Sequence, residues 1–131
     1  MCGQKESTML KIIERDFDSE VLECERPVFT CLTTKWCHSC YPTCLFAEEL
    51  AKNYDGRVKF VKVDIEKSPE IAERYHIIAV PTILLFQDSQ LVRKLVGFQE
   101  RNSLRALLSS ATAENEQQRG KSGQSNSATN G

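Results

Sequence analysis

The sequence predicts an α/β domain with a central mixed β-sheet and helices on both of its faces. In the first half of the chain, strand-like apolar runs alternate with segments of helical periodicity. In the second half, two strand-like segments joined by a polar turn precede an amphipathic segment. A strand–helix–strand order is typical of parallel pairing, and two strands joined by a short turn pair antiparallel. The expected sheet therefore contains both kinds of pairing.

The first half supplies strand, helix and strand. Residues 9–13 form a short apolar run typical of an edge strand, and a short helix is expected before the break at residues 25–27. The segment VFTCL (28–32) is rich in β-branched and aromatic residues without a polar face, as in a strand buried on both sides. Helical spacing of apolar residues then begins at Cys40, and residues 58–65 return to strand character.

The second half supplies a short helix, a hairpin and a closing helix. Ser68 and Pro69 are typical of an N-cap and a first helical position. Residues 82–86 and 91–96 are expected to pair as a hairpin across a polar turn. The apolar face of the closing helix is marked by Leu104, Leu107 and Leu108.

One domain accounts for the whole of this pattern. Residues 9–113 are expected to form it, preceded by a flexible N-terminus (1–8). Residues 114–131 contain no aromatic residue and no aliphatic residue larger than alanine, so they are predicted to be a disordered polar tail.

Charge and hydropathy exclude some classes of partner. Seventeen Lys and Arg residues against eighteen Asp and Glu give a net charge of −1, so no basic excess is available for nucleic acid. No segment approaches the roughly 18 apolar residues of a membrane span. A cytoplasmic protein is expected. The alternative is an exported lipoprotein that begins at Cys2, its signal replaced by Met1.

Function is expected at a cysteine cluster. Three of the six cysteines lie in a cluster that begins directly after Trp36; they are Cys37, Cys40 and Cys44. Cys37 comes at the start of a helix, where partial positive charge favours the thiolate, so it is the expected nucleophile. Cys40, three residues later, would resolve a mixed disulfide formed by Cys37. A protonated His38 would stabilise the thiolate further; its alternative role is that of a solvated surface side chain.

The motif WCHSC (36–40) at a strand-to-helix junction, followed by Val80, Pro81 and Thr82 before a strand, resembles the thioredoxin family over about residues 9–110. This resemblance implies a thioredoxin-like fold and a thiol-disulfide oxidoreductase acting on protein disulfides, expected here as a reductase without an organic cofactor. It also implies a dithiol electron donor as partner, namely thioredoxin reductase if the protein is cytosolic.

The same resemblance assigns roles to individual residues. Trp36 flanks the nucleophile, and Lys62 lies beneath the active site. Pro81 is implied to be cis and to lie against the cysteines, with the backbone of Val80 pairing with an extended substrate. Gly97 is implied to let the substrate backbone approach.

Several residues depart from the family pattern. His38 and Ser39 replace the two residues that usually stand between the cysteines, so they are expected to modulate the redox centre. Lys62, beneath the active site, is expected to modulate it as well. Cys31 stands where the family has a buried aspartate that assists the resolving cysteine. Pro42 either kinks the helix or lies in the first turn of a helix that begins after Cys37.

The remaining cysteines leave alternatives open. In a helix the Cβ atoms of Cys40 and Cys44 lie about 5–6 Å apart, whereas a disulfide needs about 3.5–4.5 Å. Cys44 and Cys31 are therefore expected as small core residues rather than further redox sulfurs, and the same expectation applies to Cys2 and Cys24.

Two other functions are weighed against the enzyme. A zinc or iron–sulfur site would use Cys31, Cys37, Cys40 and Cys44, but ligands on one strand and one helix face rarely converge tetrahedrally, so no metal is expected. Covalent c-type haem is excluded because Tyr41 stands where the motif needs histidine. The alternative function is a thioredoxin-fold binding module or co-chaperone without redox turnover.

Overall fold

Five strands form one mixed sheet in the order β1–β3–β2–β4–β5. The computed structural model describes residues 9–12, 14–54 and 56–120, with side chains described as far as residue 112. The strands are β1 (Leu10–Ile12), β2 (Val28–Thr33), β3 (Lys59–Asp64), β4 (Thr82–Gln87) and β5 (Gln90–Val96). The first three run parallel to one another, and β4 pairs antiparallel with both β2 and β5. The predicted mixed sheet is confirmed.

Four helical segments cover this sheet. They are α1 (Glu14–Phe17), which continues as a π-helical turn (Asp18–Leu22), α2 (Cys40–Asn53), α3 (Pro69–Arg74) and α4 (Arg101–Gly120). Each helix predicted from the sequence is present. Pro69 is the first residue of α3, where its missing N–H costs no helical hydrogen bond.

Side chains on the central strands point alternately to the two faces of the sheet, and the core therefore has two layers. Phe29 and Cys31 of β2 pack on the face covered by α2 and α4, whereas Val28 and Leu32 pack on the face covered by α1 and α3. Because neighbouring side chains on a strand point to opposite faces, a strand covered on both sides must be apolar throughout. All six residues of β2 are buried accordingly.

One charged side chain lies in this interior. Lys59, the first residue of β3, is fully buried, and its Nζ pairs with the Glu20 carboxylate and also donates to the Glu20 backbone carbonyl at 3.1 Å. The Lys59 N–H donates to the carbonyl of Pro27 at 2.9 Å. Lys59 therefore ties the π-helical turn after α1 to the central sheet.

Two boundary expectations differ from the structure. The Ser68 hydroxyl does not cap α3; it accepts the Glu14 N–H at 3.0 Å and so joins α3 to α1. Helix α4 continues from Glu114 to Gly120, a segment predicted to be disordered. Five of these seven residues are Glu, Gln or Arg, which favour helix even without an apolar face. Residues 1–8 and 121–131, also expected to be flexible, lie outside the described residues.

Strand register brings several loops to one edge of the sheet. Thr33 at the end of β2 pairs with Asp64 at the end of β3. Leu32 lies opposite Thr82, the first residue of β4, and Thr82 lies opposite Val96, the last residue of β5. The loops that follow β2, β3 and β5 and the loop that precedes β4 therefore meet at the same edge. These loops carry most of the residues singled out by the sequence.

Candidate active site

The cysteine pair lies between β2 and α2. Cys37 and Cys40 form a disulfide with their Cα atoms 5.3 Å apart. Cys37 is half-buried, whereas Cys40 is only 4% exposed. The Cys40 N–H donates to Cys37 Sγ at 3.1 Å. The first amide of the helix thus points at the more accessible sulfur, where it stabilises negative charge once the disulfide is opened.

The start of α2 decides between the two roles open to Pro42. The helix begins at Cys40, so Pro42 lies in its first turn, where an amide hydrogen would have no intrahelical partner. Ser39 is the N-cap but makes no side-chain capping bond; its Oγ lies 3.7 Å from Cys37 Sγ instead. His38 is exposed.

Trp36 projects from the loop beside Cys37. Its side chain is 70% exposed, and its Nε1–H donates to both carboxylate oxygens of Glu66, each at 3.0 Å. Glu66 follows β3 and was missed by the sequence analysis. A signal for it existed, because the carboxyl ends of the parallel strands β2 and β3 meet at one edge.

The loop before β4 and the loop after β5 are joined by a backbone bond. The peptide between Val80 and Pro81 is cis, as the resemblance implied. Gly97 has a φ of +92°, a conformation that side chains disfavour, and its N–H donates to the Pro81 carbonyl at 2.7 Å. Val80 is half-buried and Pro81 buried.

Exposed apolar side chains flank these two loops. Ile78, two residues before Val80, is 92% exposed, and Phe98, next to Gly97, is 47% exposed. Contiguous exposed apolar surface is typical of protein interaction sites. Sequence analysis missed both residues because an isolated apolar residue in a loop carries no periodicity.

A cavity of about 420 Å³ opens beside the disulfide. Its lining includes Cys37, Cys40, Cys44 and Lys62. Lys62 is half-buried and lies in register with Cys31 on the neighbouring strand β2. The positive charge of Lys62 lowers the pKa of both Cys31 and Cys44, against the opposing effect of burial.

Comparison with known proteins identifies the fold and its chemistry. The family model for thioredoxin matches residues 8–110. The chain belongs to the thioredoxin family. Thioredoxins of Staphylococcus aureus strains Mu50, MW2 and N315 are each 35% identical over 100 residues, covering 76% of this chain and 94% of the relative. Membership of this family, together with the disulfide between Cys37 and Cys40, makes the chain a thiol-disulfide oxidoreductase.

The thioredoxin-family fold here contains a second pair of sulfurs. Cys31 Sγ on β2 and Cys44 Sγ on α2 lie 3.4 Å apart, and both thiols are free. Both residues belong to the core layer beneath α2, as expected of small buried side chains. Their mutual contact was not foreseen, because the sequence analysis measured Cys44 only against Cys40 on the same helix.

The contact between the two thiols shifts their pKa values in opposite directions. The hydrogen bond with Cys44, reinforced by burial, raises the pKa of Cys31 well above its usual range. The same hydrogen bond lowers the pKa of Cys44, and the positive charge of Lys62 acts in the same direction against the effect of burial. These opposite directions make Cys44 the more acidic thiol of the pair.

The structure also bears on the remaining cysteines, on the alternative of a metal site and on membrane spans. Cys24 is buried, as expected, but it is disulfide-bonded rather than a simple core thiol; Cys2 lies outside the described residues. Within residues 9–12, 14–54 and 56–120, no group of three or more His, Cys, Asp or Glu residues is arranged to hold a metal ion. The same part of the chain contains no helix that is long and apolar enough to span a membrane.

Proposed function

We propose that this chain reduces protein disulfides, with Cys37 as the attacking nucleophile and Cys40 as the resolving thiol. The observation that carries the proposal is the unequal accessibility of the pair: Cys37 is half-buried at the cavity, and Cys40 is 4% exposed. A substrate disulfide meets Cys37 first. The Cys40 N–H that donates to Cys37 Sγ supports a thiolate at that atom.

The proposed reaction uses the two cysteine sulfurs in turn, first Cys37 and then Cys40. The Cys37 thiolate attacks one sulfur of the substrate disulfide, forming a mixed disulfide and releasing the first substrate thiolate. Cys40 then loses its proton and attacks Cys37 Sγ, which releases the second substrate thiolate and leaves the Cys37–Cys40 disulfide. A dithiol donor, thioredoxin reductase in the cytosolic case, returns the pair to its reduced form. No organic cofactor takes part in these steps.

Four residues are proposed to form the substrate groove. The exposed indole of Trp36 offers an apolar surface next to the nucleophile. The backbone of Val80, before the cis Pro81, is proposed to pair with an extended substrate segment. Gly97 leaves no side chain between these loops and the substrate. The bond from Gly97 N–H to the Pro81 carbonyl supports treating the two loops as one surface.

Three further residues are proposed to tune the pair. The Ser39 hydroxyl, 3.7 Å from Cys37 Sγ, can donate to the thiolate. His38 adds positive charge next to Cys37 when it is protonated. Lys62 contributes its positive charge at the cavity beneath the cysteines.

The proposed reductase function implies partners and a compartment. Its substrates are disulfide-containing proteins, and its electron donor is a dithiol protein. Nucleic acid is not among its partners, in keeping with a net charge of −1. A reductase of this kind goes with the cytoplasm, where thiols are kept reduced; the alternative of an exported lipoprotein would instead require a donor outside it.

Insulin reduction by dithiothreitol tests the two roles. We expect Cys37→Ser to abolish acceleration of insulin precipitation. Cys40→Ser should lose turnover as well but accumulate a mixed disulfide between Cys37 and insulin, detectable by non-reducing mass analysis. Lys52→Ala, at an exposed position of α2 outside the proposed site, is the control and should retain turnover. Unchanged turnover of Cys37→Ser, or trapping through Cys40 in that variant, would overturn the assignment.

The reduction potential of the pair tests the direction of electron flow. A value near the −270 mV of thioredoxin, about 90 mV below protein disulfide isomerase, is expected for a reductase. A value between about −180 and −120 mV would make the protein an oxidant or isomerase. Binding of reduced, unfolded insulin that survives loss of both cysteines, without any reversible Cys37–Cys40 disulfide, would favour the co-chaperone instead.

A further inference from the structure

Two buried thiols lie in contact directly behind the active-site disulfide. Cys31 Sγ and Cys44 Sγ are 3.4 Å apart, and the two residues are 0% and 6% exposed. Sulfur atoms in a disulfide are about 2.05 Å apart, so closing this pair requires an approach of about 1.4 Å. Cys31 is fixed in the centre of a sheet and Cys44 in a helix packed on it, so the contact is built into the fold.

The pair is connected to the active site rather than isolated from it. Cys44 lies one helical turn after Cys40, and both residues line the cavity that also reaches Cys37. Lys62, which lines the same cavity, is in register with Cys31. Cys44 thus shares the cavity with the active-site disulfide and is in contact with Cys31 behind it.

We propose that Cys31 and Cys44 are a second redox-active dithiol, which receives the disulfide from Cys37 and Cys40 and stores it in the core. The inference rests on the proposed function of Cys37 and Cys40, and it extends that function from one disulfide to two. A fully reduced molecule would then reduce two substrate disulfides before it needs its electron donor.

The transfer balances as two thiol-disulfide exchanges. The Cys44 thiolate attacks Cys40 Sγ, so the Cys40–Cys44 bond forms, the Cys37–Cys40 bond breaks and Cys37 leaves as a thiolate. Cys31 then attacks Cys44 Sγ and passes its proton to the departing Cys40. The result is a Cys31–Cys44 disulfide and a reduced Cys37–Cys40 pair, with one proton and one negative charge conserved and no outside oxidant required.

The electrostatics of the core favour Cys44 as the attacking sulfur. Its hydrogen bond with Cys31 and the charge of Lys62 lower the pKa of Cys44, so the more acidic member of the pair is the one that lies a helical turn after Cys40. Cys31 keeps its proton until the second exchange, since its pKa is raised.

The first exchange requires movement in the first turn of α2. In a regular helix the Cβ atoms of Cys40 and Cys44 are about 5–6 Å apart, which is about 1–2 Å beyond disulfide geometry. The amides of a first helical turn have no partner four residues earlier, and Pro42 has no amide hydrogen at all. This turn is therefore the part of α2 that adjusts at the lowest cost in hydrogen bonds.

Stoichiometry of reduction tests the proposal. The full chain is reduced, freed of reductant and mixed with excess oxidised glutathione; released glutathione thiol is counted together with the disulfides formed. Lys35 separates Cys31 from the other three sulfurs in a tryptic digest, so a Cys31–Cys44 disulfide joins two peptides, whereas Cys37–Cys40 stays within one. Fragmentation of the joined peptides distinguishes Cys31 from Cys24.

Oxidation of Cys31, Cys37, Cys40 and Cys44 releases glutathione thiol. We expect the amount released per molecule by these four residues to fall two-fold in Cys31→Ala and in Cys44→Ala, with the Cys37–Cys40 disulfide still formed. In the Cys37→Ser/Cys40→Ser variant the buried pair should stay reduced, because its route to glutathione is gone. Cys31 and Cys44 remaining free thiols in wild type while Cys37–Cys40 is fully oxidised would overturn the inference alone. Equally fast closure of the pair in the double variant would overturn the exchange route. A Cys37–Cys40 disulfide that never forms would refute the proposed function itself.

Discussion

A Glu20→Gln substitution should destabilise this protein far more than its partly exposed position suggests. The carboxylate of Glu20 is the counterion of Lys59, whose side chain is completely buried while that of Glu20 is 34% exposed. After the substitution, the Lys59 ammonium keeps the Glu20 carbonyl at 3.1 Å but loses its balancing charge. Breaking a buried ion pair from one side costs about 3–5 kcal/mol because the remaining charge is uncompensated.

The lower end of that range applies here. The Glu20 carboxylate is partly solvated, and the amide oxygen of Gln still accepts a hydrogen bond, so we expect a loss of about 3 kcal/mol. For a domain of this size, 1 kcal/mol shifts Tm by roughly 3–5 °C, so Tm should fall by about 10 °C. The free energy of unfolding is measured by urea denaturation followed by circular dichroism, with Tm from a thermal scan.

Two variants make the test specific. Glu23→Gln, at an exposed neighbouring carboxylate, is the matched control and should change stability by less than about 0.5 kcal/mol. Adding Lys59→Met to Glu20→Gln removes the unpaired charge while keeping a long side chain, and should recover most of the loss. The reasoning is refuted if Glu20→Gln is no worse than Glu23→Gln, or if the double variant is less stable than Glu20→Gln alone.

Two further outcomes are expected. Gly97→Val should lower the free energy of unfolding by about 1–2 kcal/mol, because Gly97 has a φ of +92° that an L-residue resists; an unchanged urea midpoint would contradict this. Alkaline pH should destabilise the protein with Cys31 and Cys44 reduced. The raised pKa of Cys31 means that its contribution is complete below the ordinary thiol pKa and is lost as pH rises toward the raised value. The lowered pKa of Cys44 acts in the opposite sense, but burial opposes ionisation of both thiols. Cys31→Val should therefore flatten the alkaline decline in stability measured by denaturation; an identical slope in this variant and in wild type would contradict the assignment.

The local pattern of apolar and polar residues predicted most of the strands and helices. The run VFTCL has no polar face, and this alone marks a strand covered on both sides, which β2 is. The WCHSC motif, together with Val80, Pro81 and Thr82 before a strand, predicted the family and the redox pair of Cys37 and Cys40. Pro42 had two possible roles, and the start of α2 at Cys40 decided between them.

What the sequence could not predict depends on distances between elements. The contact of Cys31 with Cys44 joins a strand to a helix, and spacing along the chain carries no information on that distance. The same holds for the bond from Trp36 to Glu66, residues separated by 30 positions. The end of α4 was misplaced for another reason: the apolar pattern in the sequence ends at Ala113, but the helix continues to Gly120 through residues that favour helix.

The two edge strands of the sheet have a consequence for a member of a family that acts on protein disulfides. β1 and β5 are the edge strands, and each carries exposed positive charge, Lys11 on β1 and Arg93 with Lys94 on β5. An open strand edge is a template for any extended chain, and positively charged side chains discourage such pairing. We expect these charges to discourage an extended polypeptide from adding to either edge of the sheet, so that substrate contact is confined to the loops around the disulfide.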